Sequence, residues 1–110
     1  LTLIGVRVGE HDLRTERDCD KDADGLETAC AERYQDFSID ELHSHPSFNR
    51  NSLHNDVAVV RIRGTIDFRP DNVRPICLPI GDAAKLNQKK VVVTGWGATE
   101  YGPRSQDLLQ

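Results

Sequence analysis

The residues best placed to do chemistry are an aspartate against an apolar run, two closely spaced histidines, a loop dense in acids and three cysteines. Asp56 lies in Asn55-Asp56-Val57-Ala58-Val59-Val60-Arg61-Ile62. A run this short and this rich in β-branched valine predicts a strand buried on both faces. A carboxylate at the mouth of such a strand loses hydration, which is costly unless something pairs with it. Asp56 therefore calls for a partner. The nearest local one is His54, two residues away and on the same face of an extended chain. The alternative is an aspartate that caps the turn leading into the strand.

His43 and His45 stand one residue apart. Such a pair on a strand can bind zinc, but this one runs into a proline turn with no third ligand at metal-site spacing, so both read as surface or turn histidines. Between Glu16 and Glu32, seven acids face two basic residues, a density that repels itself toward disorder. Cys19 and Cys30 can oppose this by stapling the neck of the loop, worth ~3 kcal/mol for a short closed loop. A cation could neutralise the rest. Asp20-Lys21-Asp22-Ala23-Asp24-Gly25 matches the opening of an EF-hand calcium loop, but Ala31 stands where the closing bidentate glutamate is required, which argues against a true EF-hand.

The elements that must position these residues are short strands. Residues 5–8 alternate as a strand, and Gly9 permits a sharp exit into a polar loop over 10–36. Residues 37–40 predict a strand with odd positions inward, broken by a turn at 44–49. After the Asp56 strand come a polar connection over 64–69 and an extended segment over 73–79, whose two prolines exclude it from the centre of a sheet. Residues 91–94 predict a short buried strand ended by Gly95-Trp96-Gly97. There are no repeats and no amphipathic helix, so the pattern is that of an all-β barrel or sandwich. A net charge of −4 leaves no basic stripe for nucleic acid. No apolar run reaches the ~20 residues of a membrane span, so no membrane is expected either. The odd cysteine count points to a bond outside the chain in a secreted setting. No signal peptide can be read, and both ends fall in strand-like stretches, as expected for a piece of a larger domain.

Four motifs then occur in one order: Val-Arg-Val-Gly-Glu-His-Asp at 6–12, Asn-Asp-Val-Ala-Val-Val-Arg-Ile at 55–62, Arg-Pro-Ile-Cys-Leu-Pro at 74–79 and Val-Thr-Gly-Trp-Gly at 93–97. Together, over essentially the whole chain, they resemble the chymotrypsin-like serine endopeptidases of the trypsin family. The cysteine-stapled acidic loop resembles more particularly the arthropod clip-domain proteases of immune and developmental cascades. The resemblance implies part of a double six-stranded Greek-key β-barrel, with residues 1–80 in the first barrel and 81–110 forming the inter-barrel segment and the start of the second.

It also implies roles. Asp56 becomes the acid of a Ser-His-Asp triad, accepting the Nδ1 proton of the catalytic histidine. None of His11, His43, His45 or His54 lies in the family's Ala-Ala-His-Cys motif, and the nucleophile's Gly-Asp-Ser-Gly-Gly motif would lie beyond Gln110, so this stretch alone should be inactive. Leu53 would line the pocket for the substrate residue one or two positions before P1. Cys77 would bond to a light chain or clip domain left after zymogen cleavage, and Trp96 would pack at the start of the second barrel. Val91 stands where many relatives place a cysteine, so that disulfide should be missing. Glu10 and Asp12 match the family's calcium loop, and both an occupied and a metal-free loop remain open. The implied activity is that of a secreted, extracellular, zymogen-activated serine endopeptidase acting on protein substrates, with serpins as inhibitors. The alternative is a non-catalytic homologue that keeps Asp56, has lost the serine and acts as a binding cofactor.

Overall fold

The computed structural model describes residues 2–85, 90 and 92–98. Within them the chain is all-β apart from one 3-10 turn at Gly81–Ala84. The strands are β1 Gly5–Val8, β2 Cys19–Lys21, β3 Glu27–Cys30, β4 Gln35–Ser44 and β5 Ala58–Ile62, in an antiparallel β1-β4-β5 sheet and a β2-β3 hairpin. The chain divides into two compact units, residues 1–8 with 34–67 and residues 9–33 with 68–110.

In the first unit, β4 alternates as the sequence predicts, with Phe37 and Ile39 partly buried and Asp36, Ser38 and Asp40 exposed. It runs well past 37–40, however. Its first half pairs with β1, from Gly5↔Ser38 to Val8↔Gln35. Its second half pairs with β5, from Ile39↔Ile62 to Ser44↔Ala58, with an irregularity between Ile39 and Glu41. Backbone pairing thus recruits polar residues that no hydrophobic pattern would mark. Gln35 extends this logic with its side chain, which exchanges two 2.9 Å hydrogen bonds with the Asp67 backbone. On the surface, Arg7 grips the Asp36 carboxylate at 2.7 and 3.0 Å and lies over the Tyr34 ring. Arg61 reaches Asp40 at 2.6 Å and also Glu41.

β5 departs from expectation. The sequence predicts burial on both faces, but Val57 and Val59 are 60% and 67% exposed, while Val60 and Ile62 are partly buried. Among the described residues β5 pairs with β4 alone, and cover reaches only the face that carries Val60 and Ile62, so the residues of the other face meet solvent.

In the second unit the acidic loop contains the β2-β3 hairpin, closed at its neck by a Cys19–Cys30 disulfide between directly paired residues. The predicted EF-hand opening is its turn. Asp22 Oδ1 accepts the N–H groups of Asp24 at 3.0 Å and Leu26 at 2.9 Å, and Gly25 adopts a φ of 80°. An aspartate folding the chain onto itself in this way is turn chemistry. A second tie closes the larger loop, where Asn72 Nδ2 donates to the carbonyls of Gly9 at 3.0 Å and Glu32 at 2.8 Å. Beside it, Val73 is 5% exposed, the one buried hydrophobic among the described residues. Arg74 follows, donating to the carbonyls of Phe68 and Pro70 and to the Asp71 carboxylate. The segment after it, through residue 80, joins no strand among the described residues, consistent with its two prolines.

Residues 92–94 do not form the predicted strand, and Val92 is 91% exposed. A strand needs a ladder partner, and none of the described residues pairs here. Val91, and with it the expectation of a missing disulfide, lies outside the described residues. The Trp96 indole N–H donates to the His11 carbonyl at 3.2 Å.

Gly9 satisfies two demands at once. Its φ is 81°, and a Cβ there would stand 2.8 Å from both Asn72 Nδ2 and Val73 Cγ2. Gly25 has a similar φ but nothing within 4 Å. In the full-length protein, Gly25→Ala should therefore lose only the cost of left-handed backbone, about 1 kcal/mol, and Gly9→Ala should lose clearly more. Equal shifts in thermal melting would show that the Asn72 tie yields without cost.

Candidate active site

Asp56 sits at the end of the loop that joins β4 to β5. At the base of this loop the His45 N–H donates to the Val57 carbonyl at 3.0 Å. The predicted turn at Pro46 forms, with the Ser47 N–H on His45 Nδ1 and the Phe48 N–H on the His45 carbonyl. Farther out, Asn49 and His54 form an isolated bridge with a 3.0 Å hydrogen bond, and Asn49 Oδ1 accepts the N–H groups of Asn51 and Ser52. Leu53 and Asn55 both take left-handed backbone, with φ of 55° and 59°. Asn55 Nδ2 donates to the Ser47 carbonyl at 3.0 Å, while its own carbonyl accepts the Val57 N–H at 2.9 Å. That last bond makes Asp56 the central residue of a three-residue turn. The backbone is thus held on both sides of the aspartate.

The Asp56 carboxylate is exposed and carries no hydrogen bond among the described residues. The expected desolvation is not seen, because the strand it leads into is covered on one face. His54 contributes its backbone to the bridge, and no hydrogen bond joins its ring to Asp56. The His43 ring pairs with Glu41 at 2.7 Å, and no group of three metal donors among the described residues includes His43 or His45. Leu53 lies in the same loop as Asp56 with its side chain exposed. Cys77 is an exposed free thiol on the extended segment. Two kinds of residue went unmarked in the sequence, the loop-closing asparagines and Asp18. For the asparagines the available signal was three of them within seven residues, at 49, 51 and 55.

The predicted calcium residues lie in the second unit. Glu10 is buried, and its Oε1 accepts the His11 N–H at 3.0 Å. The Asp12 carboxylate is taken up by Arg14, whose Nε and Nη2 lie 2.8 and 2.6 Å away and whose backbone N–H also donates to it. These bonds, led by the guanidinium, hold its pKa down to about 2. Asp18 accepts the N–H groups of His11 and Asp12 on one oxygen and the Thr15 hydroxyl, at 2.6 Å, on the other. Burial pushes the Asp18 pKa up, but the hydrogen bonds from Thr15, Asp12 and His11 outweigh it and the net shift is downward. Among the described residues the one group of three potential donors is Cys19, Glu27 and Cys30, and its two sulfurs are already joined. As placed, Glu10 and Asp12 do not converge into the shell of about six to eight oxygens that calcium takes.

The sequence model of the trypsin family matches residues 5–110. Serine protease grass of Drosophila melanogaster is 33% identical over 111 residues, covering 98% of this chain and 29% of that protein. Melanization protease 1 of the same species is 39% identical over 103 residues, covering 89% and 25%. Phenoloxidase-activating factor 3 of Holotrichia diomphalia is 37% identical over 106 residues, covering 94% and 29%. The crystal structure of the Drosophila Grass clip serine protease of the Toll pathway aligns with a TM-score of 0.72 at 32% identity, over 97% of this chain and 30% of that one. The chain therefore spans less than a third of the length of these relatives. With a family match from β1 onward and an all-β fold that aligns with a solved member, the chain belongs to the trypsin family and its fold is part of a chymotrypsin-like β-barrel protein.

Proposed function

We propose that this chain is the part of a secreted serine endopeptidase that carries the triad acid, Asp56. The observation that carries the reading is the turn centred on Asp56, pinned on both sides while its carboxylate stays clear of competing hydrogen bonds among the described residues. A carboxylate so held can accept a hydrogen bond from the Nδ1–H of an imidazole, fix the tautomer whose Nε2 takes the serine proton, and stabilise the imidazolium that forms. Leu53, on the same loop, would border the substrate side chain just before the scissile residue. Residues 1–80 would supply the first barrel, and 81–110 the connection to the second.

The names of Melanization protease 1, Phenoloxidase-activating factor 3 and Spaetzle-processing enzyme support a protein substrate within a zymogen-activated cascade. The Cys19–Cys30 bridge supports an oxidising, extracellular compartment. The exposed thiol of Cys77 would pair with a light chain or clip domain, and a serpin would be the matching inhibitor.

In the full-length protein, Asp56→Asn should leave the thermal melt nearly unchanged and lower kcat about ten-thousand-fold, the size known for this change in the family's triad. Turnover within a few-fold of the parent would remove Asp56 from the triad. A parent protein with no turnover at all would favour the non-catalytic homologue.

Calcium at Glu10 is part of the proposal on one condition, that Asp12 exchanges Arg14 for the ion. Melting temperatures measured in calcium and in chelator decide this, since a bound ion raises the value by mass action and equal values remove the ion. Without it, the loop rests on carboxylates whose pKa values lie below the ordinary 3.8. Their hold is complete above that pH and fades as the pH falls toward about 2, the folded value of Asp12. Protection against amide exchange over residues 11–18, taken relative to the intrinsic rate at each pH, should fall across that window, and unchanged protection would refute the role of the two acids.

A further inference from the structure

We infer that Asn55 is a positioning residue for Asp56, acting through its side-chain amide. The inference rests on the reading of Asp56 as the triad acid. Position 55 makes two demands. Its φ of 59° is left-handed, a conformation that glycine, asparagine and aspartate adopt far more readily than other residues. It also needs a donor toward the Ser47 carbonyl, which Asn55 Nδ2 supplies at 3.0 Å. Glycine has no such donor and an ionised aspartate has none either. Asparagine is the residue type that meets both demands.

The geometry gives this amide a lever on Asp56. The Asn55 carbonyl accepts the Val57 N–H at 2.9 Å, and the Val57 carbonyl accepts the His45 N–H at 3.0 Å. The side chain of Asn55 therefore ties the Asp56 turn to residue 47, and Val57 ties it to residue 45, so the two bonds triangulate the aspartate against one β-turn. Removing the amide leaves the Asp56 turn held by Val57 on one side and, on the other, only through the Asn49–His54 bridge one residue farther away. Leu53, also left-handed and non-glycine, sits in the same closed loop, so the unfavourable backbone there is held by the same few hydrogen bonds. A carboxylate that drifts even about 1 Å no longer holds the imidazole in line, and displacements of that size cost up to about a hundred-fold in rate.

The test is steady-state kinetics of full-length Asn55→Gly beside Asp56→Asn. Glycine can adopt the left-handed backbone and deletes the amide together with Cβ. The expected result is a kcat lower by roughly ten- to a hundred-fold with KM held, the pattern of an interaction made in the transition state. The acid limb of kcat/KM should also move to lower pH, because a loosely held carboxylate stabilises the imidazolium less. A purely structural role would not move that limb. Parental kcat and an unmoved limb in Asn55→Gly, beside a ten-thousand-fold loss in Asp56→Asn, would overturn the positioning role while leaving the triad intact. Parental turnover in Asp56→Asn would overturn both. If the glycine variant does not fold, Asn55→Asp, which also keeps the backbone and lacks the donor, is read by the same split of kcat from KM.

Discussion

Strand β4 is hydrogen-bonded along both edges, and that double commitment sets where everything else in its unit lies. Its first four residues belong to β1 and the rest to β5, with the changeover at the irregularity between Ile39 and Glu41. Once Ser44 is opposite Ala58, the chain between them must leave and return across the width of one strand pair. The loop is closed at its base by His45 and Val57 and carries Asp56 immediately before the closure. A slip of one residue in the β4-β5 register would turn every β5 side chain to the opposite face. It would also carry the aspartate with it, so the place of the carboxylate follows from a ladder to which Asp56 itself does not belong.

The second unit is held by different means. Val73 is its one buried hydrophobic among the described residues, so apolar burial contributes little there. One disulfide, the Asn72 amide on two carbonyls, and Asp18 and Asp22 on backbone N–H groups do the ordering. Exposed ion pairs such as Arg33 with Glu16 add little, because solvent screens them. Of the seven acids from Glu16 to Glu32, Asp18 and Asp22 serve as acceptors for nearby backbone N–H groups.

Features with a local cause were legible in the sequence. β1 shows as alternation, the exit at Gly9 as a glycine between a strand and polar residues, the turn after Ser44 as His-Pro-Ser, and the staple as two cysteines flanking an acidic stretch. What was not legible depends on distant partners. The polar half of β4 exists because β5 pairs with it, and Val59 is exposed because its face of the sheet is left uncovered among the described residues. Asp20-Lys21-Asp22-Ala23-Asp24-Gly25 was ambiguous for another reason. A cation shell and an aspartate-closed turn both need oxygens near a glycine, and only the hydrogen bonds of Asp22 separate them. Of the candidate site, Asp56 could be singled out by its setting against valines. The role of Asn55 could not, because a left-handed asparagine leaves no trace in a hydrophobic pattern.

The triad reading requires the Asp56 carboxylate to accept a hydrogen bond from an imidazole Nδ1–H, and an experimental structure of the full-length protein measures the length of that bond. The predicted result is a histidine other than His11, His43, His45 or His54 with Nδ1 within about 2.6–3.2 Å of an Asp56 carboxylate oxygen, its Nε2 facing a serine hydroxyl. An Asp56 carboxylate bonded instead to solvent or to a basic side chain, with no imidazole in reach, would contradict it.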